Sequence, residues 1–273
     1  QTSPAPGENG YSSGDGVYGV YVSPQNAVYW LSSYFGNNAA PQVQVECGAG
    51  APPTLCGPFV DEPTAMLVTA NNTLWVGGLT YDGGGEIRTS AQQSFDSATQ
   101  GVIALVNGPN NAVWGILRTE NSTAPEDAIA QFAVNGTAIS VAHIFNLPTG
   151  SAAGGLAVGG DGNLWFTDYG RSQIGQITAA GQVREFPAPH AIAAPQFGQS
   201  QIVSDCDGNL WFTESDSGEI VRVTTAGAFD EHPVQTATGY PEAIAAPPAA
   251  PPACERTVWV GEARSQHLAQ VTY

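Results

Sequence analysis

Apolar and polar residues alternate in short runs along this chain, broken every few residues by Gly, Pro, Asn or Asp, and no stretch sustains a helical period. The clearest unit is GGLAVGGDGNLWFTDYGRSQIGQITAAGQVREFPAP, which aligns almost without gaps with SQIVSDCDGNLWFTESDSGEIVRVTTAGAFDEHPV. In the first copy an apolar inner strand over 155–158 runs into the turn Asp161-Gly162, a strong hairpin signal. A second strand follows over 163–167, a third over 173–178, and an outer strand ending at Phe186-Pro187, where proline is tolerated because the strand is an edge. The pattern predicts a four-stranded antiparallel meander.

Six tryptophans mark the same place in successive units: Trp30, Trp75, Trp114, Trp165, Trp211 and Trp259. They lie 39 to 51 residues apart, and the step from Trp259 round to Trp30 is 44 residues. A period of this size that closes on itself reads as a β-propeller. The expected fold is therefore all-β, a six-bladed β-propeller of four-stranded antiparallel blades occupying 1–273 as one domain. In the last blade the strands fall near 242–246, 257–262 and 268–273, which leaves the outer strand to be supplied from elsewhere. Ser3-Pro4-Ala5-Pro6 resembles Phe186-Pro187-Ala188-Pro189, so the N-terminal segment is expected to close the ring, with a neighbouring chain as the alternative. The tryptophans themselves are expected to pack between blades.

Composition narrows the class of partner. The net charge is −17, and all seven basic residues are Arg. That argues against nucleic acid and anionic membrane surfaces, which need a basic patch, and no apolar run is long enough to insert into a membrane. Four Cys and a single Met suit an oxidising compartment. Cys47 and Cys56 flank a short loop, whereas Cys206 and Cys254 each stand five residues before a tryptophan, in the same turn of adjacent blades. Pairing Cys47–Cys56 and Cys206–Cys254 is the expected one of three connectivities. Sequons at Asn71, Asn121 and Asn135, with an opening QTSPAPG that resembles a processed terminus, point to a secreted or cell-surface glycoprotein.

The pattern DGNLWFTD/E…IGQIT..G…EFP.P resembles the streptogramin (virginiamycin) B lyase family, closely in blades four and five and loosely elsewhere. The resemblance implies a propeller fold, seven-bladed in the family's lyases. It also implies a Mg²⁺-assisted elimination that opens a cyclic depsipeptide lactone, with a His/Glu pair as acid and base at the channel mouth. The family's histidines stand in Pro-His-[Ala/Gly]-Ile segments opening the inner strands of the last two blades. Here the last blade reads Tyr240-Pro241-Glu242-Ala243-Ile244, and the preceding one opens Phe197-Gly198-Gln199-Ser200-Gln201-Ile202. Pro189-His190-Ala191-Ile192 matches the motif but stands 21 residues before Trp211, about twice the family spacing, and reads as a loop. Tyr18, in Val-Tyr-Gly-Val, matches the family's substrate-binding Tyr, and Glu262 resembles the acid after the last blade's tryptophan but falls one residue early.

Asp168, Glu214 and Glu262 share one register after their tryptophans and are expected to cap strands or bond neighbouring turns, the alternative being a ring of carboxylates round a cation. Asp161 and Asp207 are assigned to their turns. His143, His190, His232 and His267 are dispersed, without metal-ligand spacing, so no metal site and no catalytic residue is expected. Inner-strand starts place Tyr18, Thr64, Val102, Gly155, Gln201 and Glu242 round the axis, and Tyr18, Glu242 and Glu262 are the ligand-binding candidates. The expected function is a secreted, non-enzymatic binding module or subunit of an extracellular assembly. Its partners would be copies of itself, another surface protein or a glycan, and it would need no cofactor. Two alternatives stand beside it: a Mg²⁺-dependent lyase, and a carbohydrate binder using Tyr11, Tyr34 or Tyr81.

Overall fold

The structure, a computed structural model, describes the backbone of 17–22, 28–34, 42–47 and 62–63, and all atoms of 64–80, 84–119, 127–194, 201–234, 240–247, 254–262 and 267–273. Among the described residues it is almost entirely β, with a 3-10 turn at Pro109–Asn111. Among the described residues no helix is long and apolar enough to cross a membrane.

The strands fall into six antiparallel meanders among the described residues. The first comprises β1 (Val17–Val22), β2 (Val28–Tyr34) and β3 (Gln42–Cys47). The second is β4 (Glu62–Val68), β5 (Leu74–Leu79), β6 (Gly85–Thr89) and β7 (Ser94–Ser97). The third is β8 (Gln100–Asn107), β9 (Val113–Thr119), β10 (Asp127–Asn135) and β11 (Ala138–Asn146), and its outer strand meets β7 through a parallel bridge between Ala138 and Ser94. The fourth is β12 (Ala153–Val158), β13 (Leu164–Asp168), β14 (Gln173–Ile177) and β15 (Val183–Pro187). The fifth is β16 (Ile202–Ser204), β17 (Leu210–Glu214), β18 (Glu219–Val223) and β19 (Phe229–Pro233). The last is β20 (Pro241–Ala245), β21 (Thr257–Glu262) and β22 (His267–Thr272). The hairpins of the fourth and fifth meanders turn on Gly162 (φ +74°) and Gly208 (φ +80°), in the left-handed region that the Asp-Gly pairs forecast.

Successive inner strands pack side by side: β8 on β4, β12 on β8, β16 on β12 and β20 on β16. Apolar clusters fill the gaps between sheets, and each holds the tryptophan of the preceding one. Trp75 packs with Val102 and Leu117, Trp114 with Leu164 and Phe166, Trp165 with Leu210 and Phe212, and Trp211 with Val258 and Val260. A buried tryptophan of this kind contributes about 3–5 kcal/mol against truncation to alanine. Trp259 differs: it is 38 % exposed. Trp30 has a described backbone only.

The fifth and last meanders are joined covalently by Cys206–Cys254, with Cα atoms 5.4 Å apart, as the shared turn position forecast. The pairing Cys47–Cys56 lies outside the described residues, as does the N-terminal segment expected to complete the last blade. Among the described residues no strand pairs with the outer side of β22. Asn71 and Asn135 are exposed, and Asn121 lies outside the described residues.

Candidate functional site

Four of the inner strands, β1, β4, β8 and β20, share a local irregularity. Register slips between Val17 and Gly19, Pro63 and Ala65, Val102 and Ala104, and Pro241 and Ala243. A bulge inserts one residue and re-aims it, as often happens beside binding sites. Tyr18 and Glu242, two of the ligand candidates, occupy such bulges. The backbone of Tyr18 is described and its side chain is not, while Glu242 is half-buried. Glu262 lies opposite Pro241 and is buried. The side chains of Tyr11, Tyr34 and Tyr81 lie outside the described residues.

Polar groups near the starts of the inner strands are engaged between blades. The Thr64 hydroxyl donates to the Val102 carbonyl of the next inner strand. The Thr167 hydroxyl donates to Gln201 Oε1 at 3.2 Å, and Gln201 Nε2 donates to the Ala193 carbonyl at 2.7 Å. Gln201 thus serves a structural role; the histidine position of the motif is the preceding residue, Ser200, which lies outside the described residues. All four histidines sit elsewhere. His143 is on β11, His232 on β19, His267 on β22, and His190 is in the connection after β15. Among the described residues, Glu242 and Glu262 of the last meander supply carboxylates without an imidazole.

The buried acids that end the second strands latch the chain. Asp168 Oδ1 accepts the N–H groups of Ala152 (2.9 Å) and Arg171 (3.2 Å). Asp127, at the start of β10, accepts the Ala153 N–H (2.6 Å) and a two-pronged contact from Arg118 (3.1 and 2.9 Å). Glu214 Oε1 accepts the His190 N–H at 3.0 Å. Asp161 does more than shape its turn: it accepts from the Trp165 indole at 3.2 Å and from Gln176 at 2.6 Å.

Around Glu214 the structure gathers residues that are scattered in sequence. Glu214 pairs with Glu219 across β17 and β18. Glu231 on β19 stands opposite Val221, two residues along β18 from Glu219, so period-two alternation puts all three carboxylates on one face. His190 reaches that face from the connection, its Nε2 lying 3.0 Å from Glu231 Oε1 and 3.4 Å from Glu219 Oε2. One donor atom from each of the four residues lies within 4.8 Å of the others. Burial raises the Glu214 carboxyl above its ordinary range, the charges of Glu231 and Glu219 add to the shift, and the His190 N–H and ring oppose it.

Sequence spacing hid this group because its members come from a connection and three strands. One signal was available. Shifted by 46 residues, Asp168, Arg171, Gln173 and Glu185 of the fourth meander become Glu214, Ser217, Glu219 and Glu231. The change removes a cation and adds a carboxylate.

Comparison with solved structures places the fold. A catalytically inactive virginiamycin B lyase from Staphylococcus aureus with quinupristin superposes with a TM-score of 0.66 at 21 % identity, over 94 % of this chain and 81 % of the other. A streptogramin B lyase structure matches with a TM-score of 0.63 at 22 % identity, covering 94 % and 83 %. The periplasmic gluconolactonase of Pseudomonas aeruginosa matches with a TM-score of 0.62 at 14 % identity, covering 92 % and 79 %. No curated protein matches. At these identities the likeness speaks for the propeller fold alone. The profile of the Virginiamycin B lyase family matches residues 56–273, well over half of the chain, and the protein belongs to that family.

Proposed function

We propose that this member of the family is an extracellular propeller that works by binding rather than by lyase chemistry. One observation carries the reading: every histidine of the 273 residues stands outside the inner strands, and Ser200 and Glu242 stand at the two positions where the resemblance implies histidines. General base catalysis needs a group with a suitable pKa within hydrogen-bond reach of the reacting proton; a serine hydroxyl is no such base by itself, and an ordinary carboxylate is a weaker base than an imidazole. The Cys206–Cys254 disulfide supports an oxidising compartment. The test is incubation with quinupristin and Mg²⁺, followed by mass spectrometry. The expected result is an unchanged cyclic depsipeptide; ring opening with turnover would overturn the proposal.

A second reading, assembly with copies of itself, is favoured by the last meander. Leu268 on β22 is 68 % exposed beside the half-open Trp259, and β22 has no outer partner strand among the described residues. Such an edge suits strand addition. Electron microscopy should then show filaments or closed oligomers, and uniform isolated particles at micromolar concentration would remove this reading.

A further inference from the structure

Three carboxylates on one sheet face repel one another, and the fourth meander shows how the same scaffold settles that problem. There Arg171 pairs with Glu185, and Gln173 replaces the middle acid with an amide oriented to donate to Glu185. In the fifth meander the arginine position is Ser217 and the middle acid is Glu219. Among the described residues, the counter-group within reach is the His190 ring, half-exposed and shared between Glu219 and Glu231. Glu214 is fully buried, and its Oε2 has no hydrogen-bond partner. A buried carboxylate oxygen left unpaired beside two further carboxylates and an imidazole lacks a cation.

We propose that His190, Glu214, Glu219 and Glu231 form a binding site for a divalent transition-metal ion, with zinc as the best-fitting case. The donor set decides the class. One imidazole nitrogen with carboxylate oxygens suits zinc, whereas Ca²⁺ and Mg²⁺ take oxygen ligands. Spacing agrees: ligands at about 2.0–2.2 Å from a tetrahedral ion are roughly 3.3 Å apart, close to the 3.0 and 3.4 Å separating His190 Nε2 from its two carboxylate partners. The ion would tie the connection after β15 to the outer strand of the fifth meander. Its ligands come from β17, β18, β19 and the connection, and none of them belongs to an inner strand.

The experiment is isothermal titration of untagged, chelator-treated full chain with ZnCl₂, and separately with CaCl₂ and MgCl₂. Zinc should bind one per chain and saturably, at least about tenfold more tightly than either alkaline-earth ion. His190→Ala and Glu231→Gln, both at solvent-accessible positions, should each weaken zinc by about tenfold or more. Ser217→Arg should rebuild the solution of the fourth meander and remove zinc binding, while the metal-free melting temperature stays within a few degrees of wild type. Absence of stoichiometric zinc binding up to about 1 mM, tighter binding of Ca²⁺ than of zinc, or zinc binding unchanged in folded His190→Ala and Glu231→Gln would each overturn the proposal.

Discussion

The fourth and fifth meanders have the same strand lengths over their last three strands, matching turn glycines at Gly162/Gly208 and Gly181/Gly227 and a constant offset of 46 residues, yet they balance charge differently. In the fourth, Arg171 lies within the blade and pairs with Glu185. In the fifth, serine stands there and the counter-group comes from outside, as His190. The tryptophan indoles show the same freedom. Trp165 donates to Asp161 in the tip of the turn, but Trp211 donates to Asp205, two positions earlier in register, at 3.0 Å. Asp207, the true counterpart of Asp161, instead faces Arg222 and Arg256 at 3.5 and 3.4 Å. The repeat preserves the backbone and the buried indole, whereas the polar partner has only to arrive with the right charge. Because such partners need a donor or acceptor at one point rather than a whole shape, they drift between positions while the packing does not.

Several measurements would break or sharpen this contrast, beginning with the largest effect. The fifth meander is the one fastened to its neighbour by Cys206–Cys254, a bridge spanning 48 residues. Chain-entropy reasoning gives about 4 kcal/mol for a loop of that length. The Cys206→Ser/Cys254→Ser double variant should therefore lose several kcal/mol in urea denaturation, and a loss below about 1 kcal/mol would show that packing alone joins the two meanders.

Next come the indole acceptors. Asp205 is buried and accepts from Asn209 N (2.8 Å), Trp211 and Arg222 Nε (3.1 Å). Asp205→Ala leaves a buried N–H unpaired and takes from Arg222 the nearer of its two carboxylates, and should cost about 3 kcal/mol. Asp161→Ala, at an exposed turn, should cost about 1 kcal/mol by the same measurement. Equal costs would contradict the distinction.

A smaller effect is expected from Arg171→Ser, which gives the fourth meander the serine of the fifth. The Arg171–Glu185 pair is partly solvated, so the loss should be about 0.5 kcal/mol. No zinc should bind there, because Gln173 remains and no histidine approaches. Zinc binding at that position would deny His190 its part in the fifth meander.

The smallest effect is confined to alkaline pH. Tyr273 of the last meander packs at a tilt against Trp211 with ring centroids 5.0 Å apart, and its phenol is pushed up to about 12, first by burial and then by the charges of Asp205 and Asp207. The folded state thus holds this proton above the ordinary phenol value of about 10. The stability it contributes is complete below about pH 10 and is lost as pH rises towards 12. Tyrosinate absorbance near 295 nm should show one late-titrating phenol, absent in Tyr273→Phe. A titration with the same last step in both proteins would show that Tyr273 does not have this environment.

Much of the fold was legible because strands of period two leave a local trace. The outer strands end at Phe186-Pro187 and at Pro233, the hairpins fall at the Asp-Gly pairs, and Cys206 and Cys254 meet because both occupy the same turn of adjacent units. The absence of histidine from the inner strands was equally readable, since the tryptophan register says where each inner strand begins. The candidate metal group was not. His190 belongs to a connection without periodicity, and 41 residues separate it from Glu231, so neither spacing nor propensity places the two side chains 3.0 Å apart. The role of Asp161 as an indole acceptor was hidden for a similar reason, since its turn geometry already accounted for an aspartate.

By itself the sequence determined the repeat, the strands and the apolar layers, because burial of one sheet face imposes alternation on every residue of a strand. Only the tertiary structure decided which polar groups meet. Electrostatic partners need nearness in space, not order along the chain, and a connection such as 188–194 is free to bring its imidazole to whichever face lacks a cation.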